Sequence, residues 1–396
     1  MPKKLMLVAP FVSFPNESGF NRFITLADML SKTYSVTLVT SRFYHSGKKH
    51  RLNEGDDYTF KVVLLDEPGY KKNIGFSRLK SHHYFCNELK RYLTLNGEQF
   101  DIVYSAYPLI YSNYLLGKNK SKFNYKLVMD IQDIWPESIT GPIPILSEKT
   151  GDILLSPFTK YANKAYSYAD GLVAVSETYL KRADVRKLPQ RNKTVAYIGT
   201  PHTLKYNKYK PSASTQQPLV ATYLGTLGGS YDLSTVIKAA ALCKNDVEIR
   251  IVGSGPDLVK LQKLDRSLGG NVQFLGSHPY DKAMQLISES DVAINPIKST
   301  AQQSMTNKLS DYLSCGVPIT SCQTNPEVVK ILKDRGNFIY KAGDCSGLAK
   351  QLKYISKHRL NLQRISKLNF EFAQQHLSRD VSYKKIINLV DYISAK

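Results

Sequence analysis

The sequence predicts an α/β fold with two Rossmann-like domains, each built on a parallel, doubly wound sheet. First, short apolar runs of strand length alternate with longer helical patterns along the chain. Second, this alternation lapses into polar sequence over residues 200–218 and then restarts. Third, a length of 396 residues suits two domains better than one.

In the first half, each predicted strand is a short run rich in aliphatic and β-branched residues. The predicted strands are residues 5–9, 36–40, 60–65, 102–105, 126–130 and 172–176, and a helix over residues 22–30 follows the first of them. In such sheets ligands bind beyond the carboxyl ends of the strands, so the loops after these runs are candidate site positions.

The second half repeats the pattern. The predicted strands are residues 220–224, 247–252, 272–275, 292–294 and 318–321, with helices over residues 234–243, 256–268 and 307–314. A long helical tail covers about residues 345–394 and is predicted to break near Leu377 and Ser378. The polar segment between the halves is the predicted linker.

The composition is that of a globular protein, with 42% hydrophobic and 22% charged residues. The apolar start is short and contains Pro10, which argues against a secretory signal, and no apolar run is long enough for a membrane span. Five scattered cysteines without metal-ligand spacing fit a reducing cytoplasm.

The net charge of +21 indicates an anionic partner. Since both halves share it and no nucleic-acid-binding motif occurs, we expect no nucleic acid partner.

The segment DVAINPIKSTAQQSMTNKLSD predicts an anion site, because it reads as a strand, a polar loop and the start of a helix. Backbone N–H groups at Met305, Thr306 and Asn307, together with the helix dipole, favour phosphate there. Lys308 adds a positive charge. Asp311, one turn later, is suited to accept hydrogen bonds from a ribose diol. The alternative is an ordinary βα unit with a charged helix face.

Glycine-containing turns follow several of the predicted strands. Gly228 and Gly229 in YLGTLGGSY, and Gly253 in IVGSGP, would let backbone N–H groups approach a diphosphate or a nucleobase. Neither segment is a GxGxxG motif or a P-loop. Gly19 precedes the helix that starts at Arg22 and would allow a similar close approach. A plain tight turn is the alternative at each position.

The segment DIQDIWPES follows a predicted strand, where ligands bind in such sheets. Asp130, Asp133 and Glu137 supply carboxylates, and Trp135 supplies a ring, for recognising sugar hydroxyls and a sugar face. The Asp-x-x-Asp spacing also suggests a metal, but no further ligand follows at useful spacing, so we expect none. Alternatively, Asp133 caps a helix that has Pro136 in its first turn.

Five segments of the second half, taken together and in order, resemble the donor domain of glycosyltransferase family 4, which has the GT-B fold. They are YLGTLGG, IRIVGSGP, VQFLGSHP, SDVAINP and TNKLSDYLSCGVPI. DIQDIWPES is similar to the branch that builds bacterial capsular and O-antigen polysaccharides. The resemblance implies two Rossmann-like domains facing a central cleft. Residues 1–200 would be the acceptor domain and residues 215–374 the donor domain, with the C-terminal helix, residues 375–396, crossing back to the first.

The family's E-x7-E motif can be carried over to individual positions. Its second glutamate, which binds the donor ribose, corresponds to Asp311. Its first glutamate contacts the donor sugar and corresponds to Gln303, so the donor sugar stays open. The family's phosphate-binding cation after the YxG turn is missing, because the GGS stretch is uncharged. Lys308, helped by Arg250, is the predicted replacement.

The resemblance implies a retaining transfer from a nucleotide sugar, usually UDP-linked, with no cofactor and no obligatory metal. The helix N-terminus and Lys308 would stabilise the departing diphosphate. If the departing phosphate itself accepts the acceptor's proton, no protein nucleophile is needed. Asp133 would then orient the sugar or the acceptor, and Asp130 is the rival for this role.

A basic amphipathic segment, KKNIGFSRLKSHHYFCNELKR, predicts a surface that lies on anionic lipid. We expect it to bring an undecaprenyl-diphosphate-type acceptor to the protein. A solvated helix face is the alternative. The residues assigned to the acceptor and the membrane are Arg22, Trp135, Glu137, Lys71, Lys72, Arg78 and Lys80.

The sequence therefore predicts a cytoplasmic glycosyltransferase, peripheral on the inner face of the plasma membrane. It would move a sugar from a nucleotide sugar to a lipid-diphosphate-linked saccharide. One alternative is a UDP-sugar epimerase of the same architecture, which needs no acceptor. The other is a non-catalytic partner that binds nucleotide sugar or lipid, which Gln303 and the missing phosphate-binding cation suggest.

Overall fold

The computed structural model describes residues 2–17, 22–52, 58–72, 75–137, 148–200, 217–298, 301 and 304–396, with only the helical backbone for residues 148–154. The chain divides into two compact units. Unit 1 is Met1–Ala196 with Tyr383–Lys396, and unit 2 is Tyr197–Ser382. Two predicted site residues, Gly19 and Gln303, lie outside the described residues, as does most of the predicted linker.

Unit 1 is built on a parallel sheet. Its strands are β1 Lys4–Val8, β2 Ser35–Ser41, β5 Lys61–Leu65, β6 Ile102–Tyr107, β7 Lys126–Ile131, β8 Gly171–Ala174 and β9 Lys193–Val195, and a short hairpin pairs β3 Phe43–Tyr44 with β4 Lys49–His50. The spatial order is β5-β2-β1-β6-β7-β8-β9. The central strands are almost entirely buried, as expected for a sheet covered on both faces.

Helices lie between these strands in the part of unit 1 that the structure describes. They are α1 Arg22–Leu30, α2 Phe76–Asn96, α3 Ile110–Phe123, α4 Glu148–Tyr166 and α5 Glu177–Ala183. Helix α1 buries Phe23, Ile24, Leu26 and Leu30 at a helical spacing, so that one face packs against the sheet. Helix α5 begins where the Ser176 side chain accepts a hydrogen bond from the Tyr179 N–H.

Unit 2 contains a second parallel sheet. Its strands are β10 Leu219–Leu224, β11 Val247–Val252, β12 Val272–Gly276, β13 Val292–Asn295, β14 Ile319–Ser321 and β15 Phe338–Ile339. They lie in the order β12-β11-β10-β13-β14-β15. The order reverses between β10 and β13, which pair Ala221 with Val292 and Thr222 with Ala293. In open α/β sheets ligands bind at such a switch point.

The helices of unit 2 are α6 Leu233–Cys243, α7 Leu258–Ser267, α8 Tyr280–Ser288, α9 Asn307–Ser314, α10 Pro326–Asp334, α11 Cys345–Lys357 and α12 Leu362–His376. Several begin at a capping side chain: Asp232 accepts from the Thr235 N–H before α6, and Asn325 accepts from two amides before α10. These caps satisfy backbone donors that a helix cannot satisfy internally.

The last helix, α13 Arg379–Ser394, follows the predicted break at Leu377 and Ser378. From Tyr383 onward it belongs to unit 1, where Ile386 and Val390 lie in the same apolar core as β1. The α/β class with two Rossmann-like units is therefore confirmed. The strands that the sequence did not predict, β3, β4, β9 and β15, are two or three residues long, too short to produce a recognisable pattern.

Candidate functional site

The candidate site lies in unit 2, at the carboxyl ends of β10 and β13. Backbone hydrogen bonds tie the loop after β10 to the loop after β13: the Asp232 N–H donates to the Pro296 carbonyl (2.8 Å) and the Lys298 N–H to the Ser230 carbonyl (3.1 Å). Because α9 follows the second of these loops, its first turn is held beside the turn that follows β10.

Lys308, in the first turn of α9, extends across the loop after β10. A Cβ at Gly225 would lie 1.8 Å from the Lys308 Cε, so the side chain occupies space that only glycine leaves open. Its Nζ donates to the Tyr223 hydroxyl (2.9 Å) and lies 3.2 Å from the centroid of the Tyr231 ring. Burial lowers the pKa of Lys308 to about 7. An anion bound there would restore the charged form.

Asp311 lies one turn further along α9. Its Oδ1 accepts a hydrogen bond from the Tyr280 hydroxyl (2.8 Å) at the start of α8. Burial raises the pKa of Asp311 to about 7, and the Tyr280 hydrogen bond and the Arg379 charge oppose that rise. The site therefore holds an amine and a carboxyl group whose pKa values both lie near 7.

The N-terminus of α9 is defined by Thr306, whose Oγ1 accepts from the Leu309 N–H (3.2 Å). The amides of Asn307 and Lys308 therefore fall in the first helical turn, where α-helical geometry provides no internal acceptor. Met305 is 2% exposed, and its side chain packs in the core that contains Leu309, so it anchors the helix.

The glycines near this site have different roles. A Cβ at Gly253 would lie 1.9 Å from the Gly225 carbonyl oxygen, so Gly253 is required for contact between two loops. That packing accounts for the glycine without a ligand, in contrast to the sequence prediction. A Cβ at Gly228 would come no closer than 3.8 Å to another residue, and at Gly229 nothing lies within 4 Å. Space is therefore left beside the tip of this loop.

Arg250 does not extend toward Lys308. Its Nε pairs with Glu248 at 2.6 Å, two residues earlier in β11 and so further from the carboxyl end of the strand. In the sheet Arg250 aligns with Thr222, three residues before Gly225. The prediction that Arg250 helps Lys308 with the diphosphate is corrected: its charge is used within β11.

In unit 1, Asp130 and Arg22 form an internal ion pair. The two side chains are 0% exposed, with Arg22 Nε 3.0 Å from Asp130 Oδ2. The Tyr104 hydroxyl donates to the same carboxylate (2.7 Å). The structure corrects two predictions here: Asp130 does not face a sugar, and Arg22 does not face an acceptor. The pair instead joins β7 to α1.

The loop after β7 is ordered by its own side chains. Asp133 accepts hydrogen bonds from the Ile134 N–H (2.9 Å) and from the Trp135 indole N–H (3.1 Å), and the Trp135 carbonyl accepts from the Tyr107 hydroxyl (2.9 Å). Glu137 forms a salt bridge with Arg182, and its assignment to the acceptor stays a prediction. Asp133 and Trp135 stay partly exposed and therefore remain candidates.

The predicted membrane segment covers the start of α2. Two large apolar side chains there are unusually exposed, Phe76 at 91% and Leu79 at 61%. The exposed cations around them are Lys71, Lys72 and Lys80. Arg78 lies on the inner face of the helix, among aromatic rings. The segment therefore combines an apolar tip with surrounding positive charge.

Within the described ranges, no three His, Cys, Asp or Glu side chains lie together as a metal site. The helices of the described residues include none with the length and apolar character needed to cross a membrane.

Residues 218–358, most of unit 2, match the family model for glycosyl transferases group 1. Solved structures align with nearly the whole chain. Sucrose-phosphate synthase from Thermosynechococcus elongatus has a TM-score of 0.74 and 16% identity, over 99% of each chain. Anabaena HepE in complex with UDP has 0.68 and 15%, over 98% of this chain and 100% of the other. WaaG, a glycosyltransferase involved in lipopolysaccharide biosynthesis, has 0.66 and 13%, over 98% and 99%.

The chain has the GT-B fold. Identities of 16% or less limit these likenesses to the fold itself. A search of curated protein sequences gave no match. The part of the chain that the family model matches carries Lys308 and Asp311.

The structure adds residues that the sequence analysis did not single out. Tyr223 and Tyr231 hold the Lys308 ammonium, and Gly225 makes room for its side chain. All three stand in YLGTLGGSY, so that motif contained a signal for them. Tyr280 reaches Asp311 from α8, and its sequence position gave no indication of this contact.

Proposed function

We propose that this protein is a glycosyltransferase that binds a nucleotide sugar in unit 2. The observation that carries the proposal is the placement of Lys308 across Gly225, one turn from Asp311, at the switch point of the sheet. The first turn of α9 and Lys308 would bind the diphosphate, and Asp311 would accept hydrogen bonds from the ribose. The HepE structures contain UDP and UDP-glucose, which favours a UDP-linked donor.

The proposed reaction retains the configuration at the anomeric carbon and uses no cofactor or metal. The bond from that carbon to the diphosphate oxygen breaks, and a bond to the acceptor oxygen forms on the same face. The acceptor's proton passes to the departing phosphate oxygen, so no protein nucleophile is needed. Amides of Asn307 and Lys308, with the Lys308 ammonium, stabilise the charge that develops on the diphosphate.

The proposed acceptor is a saccharide on a lipid diphosphate of the undecaprenyl type, used in building a bacterial surface polysaccharide such as a capsule or an O-antigen. The exposed side chains of Phe76 and Leu79, with exposed lysines near them in the sequence, support a peripheral position on the anionic inner face of the plasma membrane. In unit 1, Asp133 and Trp135 are the proposed contacts to the acceptor or the transferred sugar.

Thermal stabilisation by UDP, GDP, CMP and ADP, and then by their sugar conjugates, tests the donor site. A ligand that binds only the folded state stabilises it by about 2.7 kcal/mol at one hundred times its dissociation constant. We expect a shift with UDP or a UDP-sugar that Lys308→Gln reduces and Lys330→Gln, an exposed control on α10, does not.

Turnover then separates the alternatives. Sugar transfer that requires an acceptor supports the proposal. Release of free UDP and sugar without an acceptor would indicate an epimerase. Nucleotide binding without any turnover would indicate a non-catalytic partner.

A further inference from the structure

A group of basic and aromatic side chains lies in unit 1, apart from the proposed donor site in unit 2. We call it the Arg78 cluster; its members are His45, Lys48, Tyr70, Arg78 and His82. His45 and Lys48 lie between β3 and β4, just after β2; Tyr70 follows β5; and the other two are in the first turns of α2. The cluster therefore lies on the side of the sheet where the strands have their carboxyl ends and where α/β sheets bind ligands.

The two basic side chains of the cluster, Lys48 and Arg78, share one aromatic ring. The Lys48 Nζ lies 4.6 Å and the Arg78 guanidinium carbon 5.6 Å from the Tyr70 ring centroid. Arg78 also lies 5.4 Å from the Trp135 ring and 5.8 Å from the Phe11 ring. Cation–π contacts hold both groups, and burial together with repulsion from the Arg78 charge lowers the pKa of Lys48. A bound anion would offset that repulsion.

The neighbours of the two imidazoles in the cluster indicate which ring nitrogen carries the proton. His45 Nδ1 lies 2.6 Å from the Tyr70 hydroxyl and 3.4 Å from the Lys48 ammonium. An ammonium can only donate, so Nδ1 is the acceptor and Nε2 carries the proton. His82 Nε2 accepts from Arg78 Nε (3.4 Å), which leaves its proton on Nδ1. Each ring therefore keeps one N–H donor while remaining neutral.

The electrostatics of the cluster agree with this geometry. Burial, together with the charges of Lys48 and Arg78, lowers the pKa of His45 to about 4. Burial and the charge of Arg78 lower the pKa of His82 to about 3. Glu67, whose charge reaches Tyr70, already accepts hydrogen bonds from Ser41 and Ser81. At neutral pH the cluster therefore contains two basic side chains, Lys48 and Arg78, and two neutral imidazoles, each of which carries one N–H group.

We propose that the Arg78 cluster binds a phosphoryl group, with Lys48 and Arg78 supplying charge and the two imidazoles supplying hydrogen bonds. Phosphate oxygens accept from such donors, and arginine is well suited to them. Arg78 and His82 occupy the inner face of α2, whereas Phe76 and Leu79 are exposed on the same two turns. The inference deepens the proposed function and rests on it for one point, the identification of the phosphoryl group as part of the acceptor's lipid diphosphate.

The first experiment measures binding of inorganic diphosphate by calorimetry to the full chain. It uses the Lys308→Gln protein, which lacks the cation of the unit 2 site, so the result does not depend on the donor proposal. We expect saturable binding that weakens at least tenfold in Arg78→Gln and in Lys48→Gln. Lys118→Gln, the same charge change at an exposed position of α3, should leave it within about twofold.

The second experiment identifies the source of the phosphoryl group by vesicle flotation. Vesicles of phosphatidylcholine alone are compared with equal parts phosphatidylcholine and phosphatidic acid. If Arg78→Gln weakens both flotation on phosphatidic acid and diphosphate binding, the ligand is a lipid headgroup. If it weakens only diphosphate binding, the ligand is a soluble phosphate.

Two results would overturn the inference. One is the absence of diphosphate binding in the starting protein. The other is retention of that binding in both Arg78→Gln and Lys48→Gln, with melting temperatures showing that each variant is folded. Failure of nucleotide binding in unit 2 would instead count against the proposed donor site and would leave the Arg78 cluster unaffected.

Discussion

The Lys308 side chain occupies the position where a side chain at Gly225 would stand, with its Cε 1.8 Å from the site of the missing Cβ. The two residues come from different loops, after β10 and after β13, and the contact directs the ammonium to Tyr223 and Tyr231. Gly225 also has a φ of +146°, which residues with a Cβ rarely adopt. One glycine thus sets both the turn and the position of the cation.

Gly225→Ala should therefore weaken nucleotide binding by displacing Lys308. We expect at least a tenfold loss of affinity for UDP, about 1.4 kcal/mol, in calorimetric titration. Gly343→Ala is the matched control, because Gly343 also has a positive φ but nothing lies within 4 Å of its Cβ position. Equal losses in both variants would show that backbone strain in unit 2, rather than displacement of the lysine, weakens binding.

Local sequence signals predicted α9 well. The polar turn before the helix and the glycine after it marked its ends, and the spacing of Lys308 and Asp311 placed them one turn apart. The partners of other residues could not be predicted, because they come from distant parts of the chain. Asp130 meets Arg22 from 108 positions away, and Tyr280 reaches Asp311 from another helix.

The same limit applies to residues whose chemical properties were interpreted correctly but whose contacts in the fold were not predicted. Arg250 is a cation near a predicted turn, and the structure shows it paired with Glu248, two residues earlier in the same strand. Gly253 has the expected freedom, but the Gly225 carbonyl, rather than a ligand, occupies the space it leaves.

The affinity for UDP-glucose should depend on pH through two groups whose pKa values are both about 7, Lys308 and Asp311. Binding of the diphosphate favours protonated Lys308, so affinity falls as pH rises above 7. Hydrogen bonding by the ribose favours ionised Asp311, so affinity also falls as pH drops below 7. Titrations from pH 5.5 to 8.5 (a range of about 1.5 units on each side of these values) should show a maximum near neutrality.

Two variants separate the loss of affinity at high pH from the loss of affinity at low pH. Asp311→Asn should keep only the loss at high pH, and Lys308→Gln only the loss at low pH. Asp311→Asn should also cost roughly 1.5–3 kcal/mol of binding free energy at its best pH, because a charged acceptor is removed. A flat profile in the unsubstituted protein would contradict the assignment of both residues.

Asp133→Asn should lower turnover while leaving UDP affinity within about twofold, since its carboxylate is in unit 1 and holds the Trp135 indole. Trp135 is the chain's one tryptophan, so its fluorescence reports directly on this loop. An unchanged emission spectrum with reduced turnover would assign a chemical role to Asp133. A changed spectrum with unchanged turnover would leave it a structural role in the loop.

Asp130→Ala should destabilise unit 1 strongly without a direct effect on nucleotide binding. The substitution leaves the Arg22 charge buried without its carboxylate, and breaking a buried pair in this way costs about 3–5 kcal/mol. Urea unfolding of unit 1, followed by Trp135 fluorescence, measures the loss. Replacing both partners, Arg22→Met with Asp130→Leu, should recover much of the stability because no charge is then buried alone. If the double variant is no more stable than Asp130→Ala, lost packing rather than the unpaired charge is the cause.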